Sequence, residues 1–180
     1  MITIISGTNR PGSRTKIIAD LLFKKLSESH EAQLLDLQVI ESDIIHPAMY
    51  KKENLTPSLH AVQDKYLINV DTWIMVVPEY NGSFPGILKL FFDAISLRKS
   101  KQTFNGKNVG LIGVSDGRAG NLRGLEHMAS LLNYLKITNY PNKLPVSLIN
   151  NHINTSDEVD AETSAILFRY LEDFVAWAGK

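Results

Sequence analysis

ITIISGTNRPGSRTK, residues 2–16, sets the frame for the rest of the chain. Ile2–Ile5 is a β-branched run, too short for a helix and apolar on both faces, which predicts a central parallel strand. A loop between Gly7 and Gly12 comes next, crowded by Ser6, Thr8, Asn9, Arg10, Ser13, Arg14 and Thr15. A helical pattern then begins. Strand, glycine-rich loop and helix start form a phosphate cradle. Glycines let the backbone curl around the anion, and the helix N-terminus points free N–H groups at it. Hydroxyls add donors, and arginine adds a fixed charge on a planar fork. An ordinary strand-to-helix turn also favours Gly, Pro, Ser and Asn. The number of donor side chains in one short loop favours phosphate.

Thr15 to Glu28 places Ile17, Ile18, Leu21, Leu22 and Leu26 on one helical face. Ala32–Leu37 reads as a second strand, residues 40–57 as irregular, and Leu59–Val70 as a helix. Thr72–Val77 is a buried strand ended by Pro78, before the turn-rich PEYNGSFPG of residues 78–86. Ile87–Leu97 is an apolar helix opened by Pro85. Lys99–Lys107 is a polar connection, and Val109–Val114 a strand followed by SDGRAGNLRG. Leu122–Leu135 is a helix, residues 138–143 a loop and Leu144–Ile149 a fifth strand. Asp157–Ala178 is a closing helix, with Asp157, Glu158, Asp160 and Glu162 at its positive end.

Strands alternate with helices five times, with neither repeat nor linker. This predicts one domain over residues 1–180, an α/β three-layer sandwich with helices on both faces of a parallel sheet. Five strands suit the flavodoxin-like order 2-1-3-4-5, whose ligand lies outside the C-terminal strand ends where the order reverses. The glycine-rich loops after strands one, three and four all fall at that end.

Each loop narrows the chemistry. Gly7 and Gly12 have the spacing of a triphosphate-binding loop, but Ser13 stands where its lysine belongs, and no strand ends in a plain Asp for magnesium. G-x-G-x-x-G is absent as well. A single phosphate held by backbone N–H groups, hydroxyls and Arg10 fits better. In the second loop, Tyr80, Asn81 and the backbone can wall a flat ring and serve its polar edge; a turn whose aromatics merely pack is the alternative. In the third, Gly117, Gly120 and Gly124 let backbone approach a ring. Arg118 and Arg123 either reach an anion or are solvated. His30, His46, His60, His127 and His152 show no metal spacing, and no metal site is expected. Glu79 and Asp93 are either a carboxylate pair for acid–base work or a loop-shaping residue and a surface residue.

The composition of 180 residues, 44% apolar and 21% charged, is that of an ordinary globular domain. Zero net charge argues against general attraction to nucleic acid or membrane. With no cysteine, disulfides, thiolate nucleophiles and Cys-ligated metals are excluded. No apolar run approaches the roughly 20 residues of a membrane span, and the N-terminus lacks a signal-peptide layout. A cytoplasmic protein is expected.

GTNRPGSRT (7–15) and PEYNGSFPGILKL (78–90) together resemble the NADPH-dependent FMN reductase family. Its signatures run like GSxRxGSxN and PEYNxSxPGxLKN. The likeness puts Thr8, Arg10 and Ser13, with Arg14 beside them, at the FMN phosphate. Thr15 stands where Asn is common and reaches less far. Pro78, Glu79, Tyr80, Asn81, Gly82 and Ser83 fall at the ring, with Ser115 and Gly117 as looser matches. Leu90 replaces the final Asn. The resemblance implies bound FMN, with NADPH or NADH as co-substrate. Flavin N5 then carries the chemistry, and no protein residue is catalytic in its own right. It further implies a small-molecule acceptor (quinone, azo compound, flavin or metal ion) and a homodimer or homotetramer. The apolar helix Ile87–Leu97 is either part of such an interface or deeply buried. Two other readings stay open: a flavodoxin-like electron carrier without nicotinamide turnover, against which the neutral charge counts, and a phosphate-ligand binding module.

Overall fold

A computed structural model describes residues 1–40, 47–51, 53 and 55–180. Ile2–Ser6 (β1) pairs in parallel with Ala32–Asp36 (β2) on one side and with Thr72–Pro78 (β3) on the other. Asn108–Val114 (β4) lies beyond β3. The fifth position is shared: Thr138–Asn139 (β5) pairs with Asn108 and Val109, and Leu144–Val146 (β6) with Ile112–Val114. The order is therefore the expected flavodoxin-like 2-1-3-4-5, with its last strand broken in two. The order reverses between β1 and β3, which are neighbours in the sheet.

The central strands are buried on both faces, which is why they read as unbroken apolar runs. One face carries Ile5, Leu35, Trp73, Met75, Val77 and Leu111. Against it pack Pro57–Gln63 (α2), Gly86–Ser96 (α3), Ser100–Phe104 (α4) and Leu122–Tyr134 (α5). The other face carries Ile2, Ile4, Ile74, Val76, Ile112 and Val114. It is covered by Arg14–Ser27 (α1) and Ala161–Ala178 (α6), through Ile18, Leu22, Leu167, Tyr170 and Phe174. Burial pushes the Tyr170 phenol well above its ordinary range, and its hydroxyl donates to the Leu111 carbonyl.

Several expectations are corrected. The polar stretch after Lys99 contains α4, which buries Thr103 and Phe104. The helix from Pro57 widens into a π turn over Asp64–Ile68. Carbonyls of that turn accept from side chains at the sheet: Thr3 donates to Tyr66 and Gln33 to Lys65. The fifth strand stops at Val146, because Leu148 takes a left-handed conformation (φ 50°) and Ile149–Asn151 closes into a 3₁₀ turn. The last helix begins at Ala161, with Asp160 capping it by accepting from the Thr163 amide at 2.7 Å. Within the span read as irregular, Pro47–Tyr50 forms a 3₁₀ turn, and His46 lies outside the described residues. Among the described residues no helix is long and apolar enough to cross a membrane.

Candidate functional site

The loops after β1, β3 and β4 converge at the C-terminal edge of the sheet. Loop one is seated by the Gly7 amide, which donates to the Val76 carbonyl at 2.8 Å. Its far end is Ser13, the N-cap of α1, whose Oγ accepts from the Lys16 amide at 3.2 Å. The first turn of α1 holds no acidic residue. Its positive end and first amides thus face outward with no side-chain carboxylate of that turn to neutralise them. Arg10 is exposed and has no ion pair among the described residues. Arg14 is committed elsewhere, its Nη1 lying 2.9 Å from Asp157 Oδ1.

Loop two is a miniature hairpin. The Tyr80 amide donates to the Ser83 carbonyl at 2.9 Å, and the Ser83 amide returns the bond to Tyr80 at 3.1 Å. Asn81 and Gly82 between them have φ of 53° and 76°. That is the geometry of a type I′ turn, which Asn-Gly adopts with little strain. Helix α5 braces the hairpin from behind. Ser83 Oγ lies 2.9 Å from His127 Nδ1, and Glu79 Oε1 lies 3.6 Å from Arg123 Nη2.

Loop three starts at Ser115, whose amide donates to the Val146 carbonyl and whose Oγ donates to the Gly117 carbonyl. The Ile149 amide donates to Ser115 and the Leu148 amide to Gly117, so the 3₁₀ turn after β6 is stitched to this loop. Gly124 is required by packing. A Cβ there would collide with Asn121 Oδ1 and lie 2.8 Å from the Ser83 carbonyl carbon. The close approach of α5 to loop two requires that glycine.

These loops enclose a cleft of about 420 Å³, within the range of roughly 300–1,000 Å³ usual for cofactor sites. Of the residues expected there, Arg10, Ser13, Arg14, Thr15, Pro78, Glu79, Tyr80 and Ser115 line it. Thr8, Asn81, Gly82, Ser83 and Gly117 are not among its lining residues. Thr8 lies beneath it, fully buried, with its Oγ1 2.8 Å from the Tyr80 hydroxyl. Asn81, Gly82 and Ser83 form the hairpin, and Gly117 holds the 3₁₀ turn.

Gly12, Val114, Asp116, Ile149 and Asn150 complete the lining. Sequence patterning places Ile149 at the end of a strand and singles out Asn150 for no role. Their signal is topological, since the segment leaving the fifth strand must emerge beside the other loops. Arg123 is 71% exposed and paired only loosely with Glu79. The Glu79–Asp93 alternative resolves into separate roles, as Asp93 is held by Lys89 at 2.5 Å within α3. His152 Nδ1 lies 2.8 Å from Asp160 Oδ2. The Thr163 amide, and then His152, hold the Asp160 carboxyl below its usual range. Among the described residues no three His, Cys, Asp or Glu side chains are grouped so as to hold a metal ion.

The donor set suits FMN. One end of the cleft offers a helix N-terminus, hydroxyls and an uncommitted arginine for a phosphate. The other offers Pro78, Tyr80 and loop backbone for a ring. The family described as "NADPH-dependent FMN reductase" matches residues 1–150 of the chain. The chain belongs to the NADPH-dependent FMN reductase family. Among relatives of this FMN reductase family member, the chain is 35% identical over 100 residues to "FMN reductase (NADPH)" of Pseudomonas aeruginosa, covering 54% of this chain and 51% of that protein. It is 27% identical over 124 residues to "2-hydroxy-1,4-benzoquinone reductase" of a Burkholderia species, covering 67% of each. The chain thus spans about half the length of the first of these relatives and two thirds of the second. In three dimensions it superposes on the flavoenzyme NAD(P)H:(acceptor) oxidoreductase FerB of Paracoccus denitrificans with a TM-score of 0.81. That likeness covers 99% of this chain and 96% of the other at 18% identity, and is one of fold.

Proposed function

We propose that this FMN reductase family member is an FMN-dependent oxidoreductase that takes hydride from NADPH or NADH and passes electrons to a small acceptor. The acceptor classes are quinone, azo compound, flavin or metal ion. The observation that carries the reading is the meeting of a helix N-terminus with no acidic residue in its first turn, and of an Arg10 without an ion pair among the described residues, with loops two and three on a single cleft. FMN, when bound, supplies the redox chemistry. The chain supplies position and field. Ser13, Thr15 and Arg10 serve the phosphate, and the first amides of α1 add their dipoles. Pro78, Glu79, Tyr80 and Ser115 flank the ring. Asn81, Gly82, Ser83 and Gly117 hold the loops that present them.

A homodimer or homotetramer and a cytoplasmic setting belong to the same reading. Their support is the family and the nicotinamide co-substrate. The apolarity of α3 adds none, because Ile87, Leu88, Phe91, Phe92 and Ile95 are buried within the chain itself. The test is the absorbance spectrum of the purified protein with FMN, before and after anaerobic NADPH or NADH. Bleaching of the bound flavin is expected. Flavin that binds and is reduced by neither nucleotide overturns the enzyme and leaves an electron carrier. Uptake of another phosphorylated ligand with none of FMN leaves a phosphate-binding module.

A further inference from the structure

Thr8 has 0% of its surface exposed, so the protein itself must accept its hydroxyl proton. Its Oγ1 accepts from the Arg10 amide at 3.2 Å and lies 2.8 Å from the Tyr80 hydroxyl oxygen. No third partner for that oxygen occurs among the described residues. Two directions are open for the Thr8–Tyr80 bond. If Tyr80 donated, the Thr8 proton would be buried without an acceptor, which costs the full desolvation of that group. If Thr8 donates, its proton and its two bonded contacts are all satisfied. The phenolic proton of Tyr80 is then left to point elsewhere. Tyr80 lines the cleft and Thr8 does not. The hydroxyl that reaches a ligand is therefore the phenol, sharpened as a donor by the bond it accepts.

The place of that phenol identifies its target. Tyr80 belongs by backbone to the ring-flanking hairpin, but its tip rests against loop one, two residues from Arg10 in sequence. It thus reaches from the ring end to the anion end of the cleft. Given FMN as the cofactor, on the reading above, we propose that the Tyr80 hydroxyl donates to the cofactor phosphate. Thr8 acts beneath it as the positioning residue that sets its direction. The contact that the motif ascribes to Thr8 is thereby relayed through Tyr80, whose hydroxyl selects for the phosphorylated flavin while its hairpin flanks the ring.

Dissociation constants for FMN and for riboflavin, which lacks only the phosphate, test this. They are measured by flavin fluorescence on the wild type, Tyr80→Phe, Thr8→Ala, Thr8→Ser and the Tyr80→Phe/Thr8→Ala double variant. Tyr80→Phe is expected to weaken FMN about tenfold to a hundredfold, as for a hydroxyl donor to a charged group, and to leave riboflavin unchanged. Thr8→Ala should weaken FMN in the same sense, Thr8→Ser should retain wild-type affinity, and the double variant should bind no worse than Tyr80→Phe. Equal losses for both flavins in Tyr80→Phe would make Tyr80 a ring wall and overturn the proposal, as would unchanged FMN affinity. Should Thr8→Ala not fold, the Tyr80→Phe comparison still decides. A wild type that binds neither flavin overturns the FMN reading itself, and the relay with it.

Discussion

Arg14 Nη1 and Asp157 Oδ1, 143 residues apart in the chain, lie 2.9 Å from each other. The pair ties the first turn of α1 to the loop that precedes α6. It also takes up a guanidinium that the motif at residues 7–15 would hand to a phosphate. Asp157 reaches it from a left-handed backbone conformation, φ 60°.

Replacing Asp157 with Asn releases that charge. Both partners are substantially exposed, so stability should change by about 1 kcal/mol or less. FMN affinity should rise about two- to fivefold as Arg14 becomes available to the phosphate. Paired thermal melts and FMN titrations check both halves. Unchanged affinity would mean that Arg14 does not reach the anion even when free.

Arg10 is the cation at the cleft that no carboxylate claims among the described residues. Arg10→Ala should cost about 1.5–3 kcal/mol of FMN binding, the size of a charge-assisted contact. The loss should shrink at high salt. An affinity equal to wild type at low ionic strength would place the phosphate away from loop one.

Gly124→Ala should destabilise the protein by about 1–3 kcal/mol through overpacking. The added methyl meets Asn121, whose amide is buried and donates to the Val77 carbonyl at 2.9 Å, and also meets the backbone of Ser83. Urea unfolding measures the loss. FMN binding should weaken too, since the ring-flanking hairpin is displaced. A variant with wild-type stability would show that α5 and loop two can separate freely.

Acid dependence should be visible at the end of α3. Arg98 donates to both Asp64 oxygens at 2.8 and 2.7 Å, and Lys99 adds a third contact at 3.4 Å. The hydrogen bond from Arg98 holds the Asp64 carboxyl below its ordinary value of 3.8. A depressed pKa in the folded state gives stability that is present above the unfolded value and lost as pH falls through the folded one. The wild type should therefore exceed Asp64→Asn in unfolding free energy from urea titration at neutral pH, by about 1 kcal/mol for a pair whose carboxylate water still reaches. The gap should begin to narrow at about pH 4, where the unfolded carboxyl titrates, and close only as the pH falls through the lower folded-state value. A gap independent of pH would mean that the ion pair is not its source.

The parallel sheet and the three cleft loops were legible because they rest on local signals. Apolar runs bounded by Gly and Pro mark β1, β3 and β4, and donor-rich turns mark the loop after each. The features that escaped the sequence depend on contacts between distant segments. The π turn after Gln63 exists because Thr3 and Gln33 reach its carbonyls from the sheet. The late start of α6 follows from Asp160, which caps it through the Thr163 amide, and from the turn before it, where Asn154 accepts from the Ser156 and Glu158 amides. Asn150 enters the cleft through a 3₁₀ turn that no local pattern announces. Thr8 matches its motif in type, but its burial against the Tyr80 hydroxyl is a property of two loops together.

At the far margin of the sheet, the interval between Asn139 and Leu144 leaves two fragments of two and three residues where a full strand would stand. Pro145 occupies the middle of the second fragment and has no N–H to offer. An incoming strand needs a continuous row of unpaired amides and carbonyls to zip onto. That margin presents none, so β-type aggregation and strand exchange between copies are blocked there by the covalent chain itself.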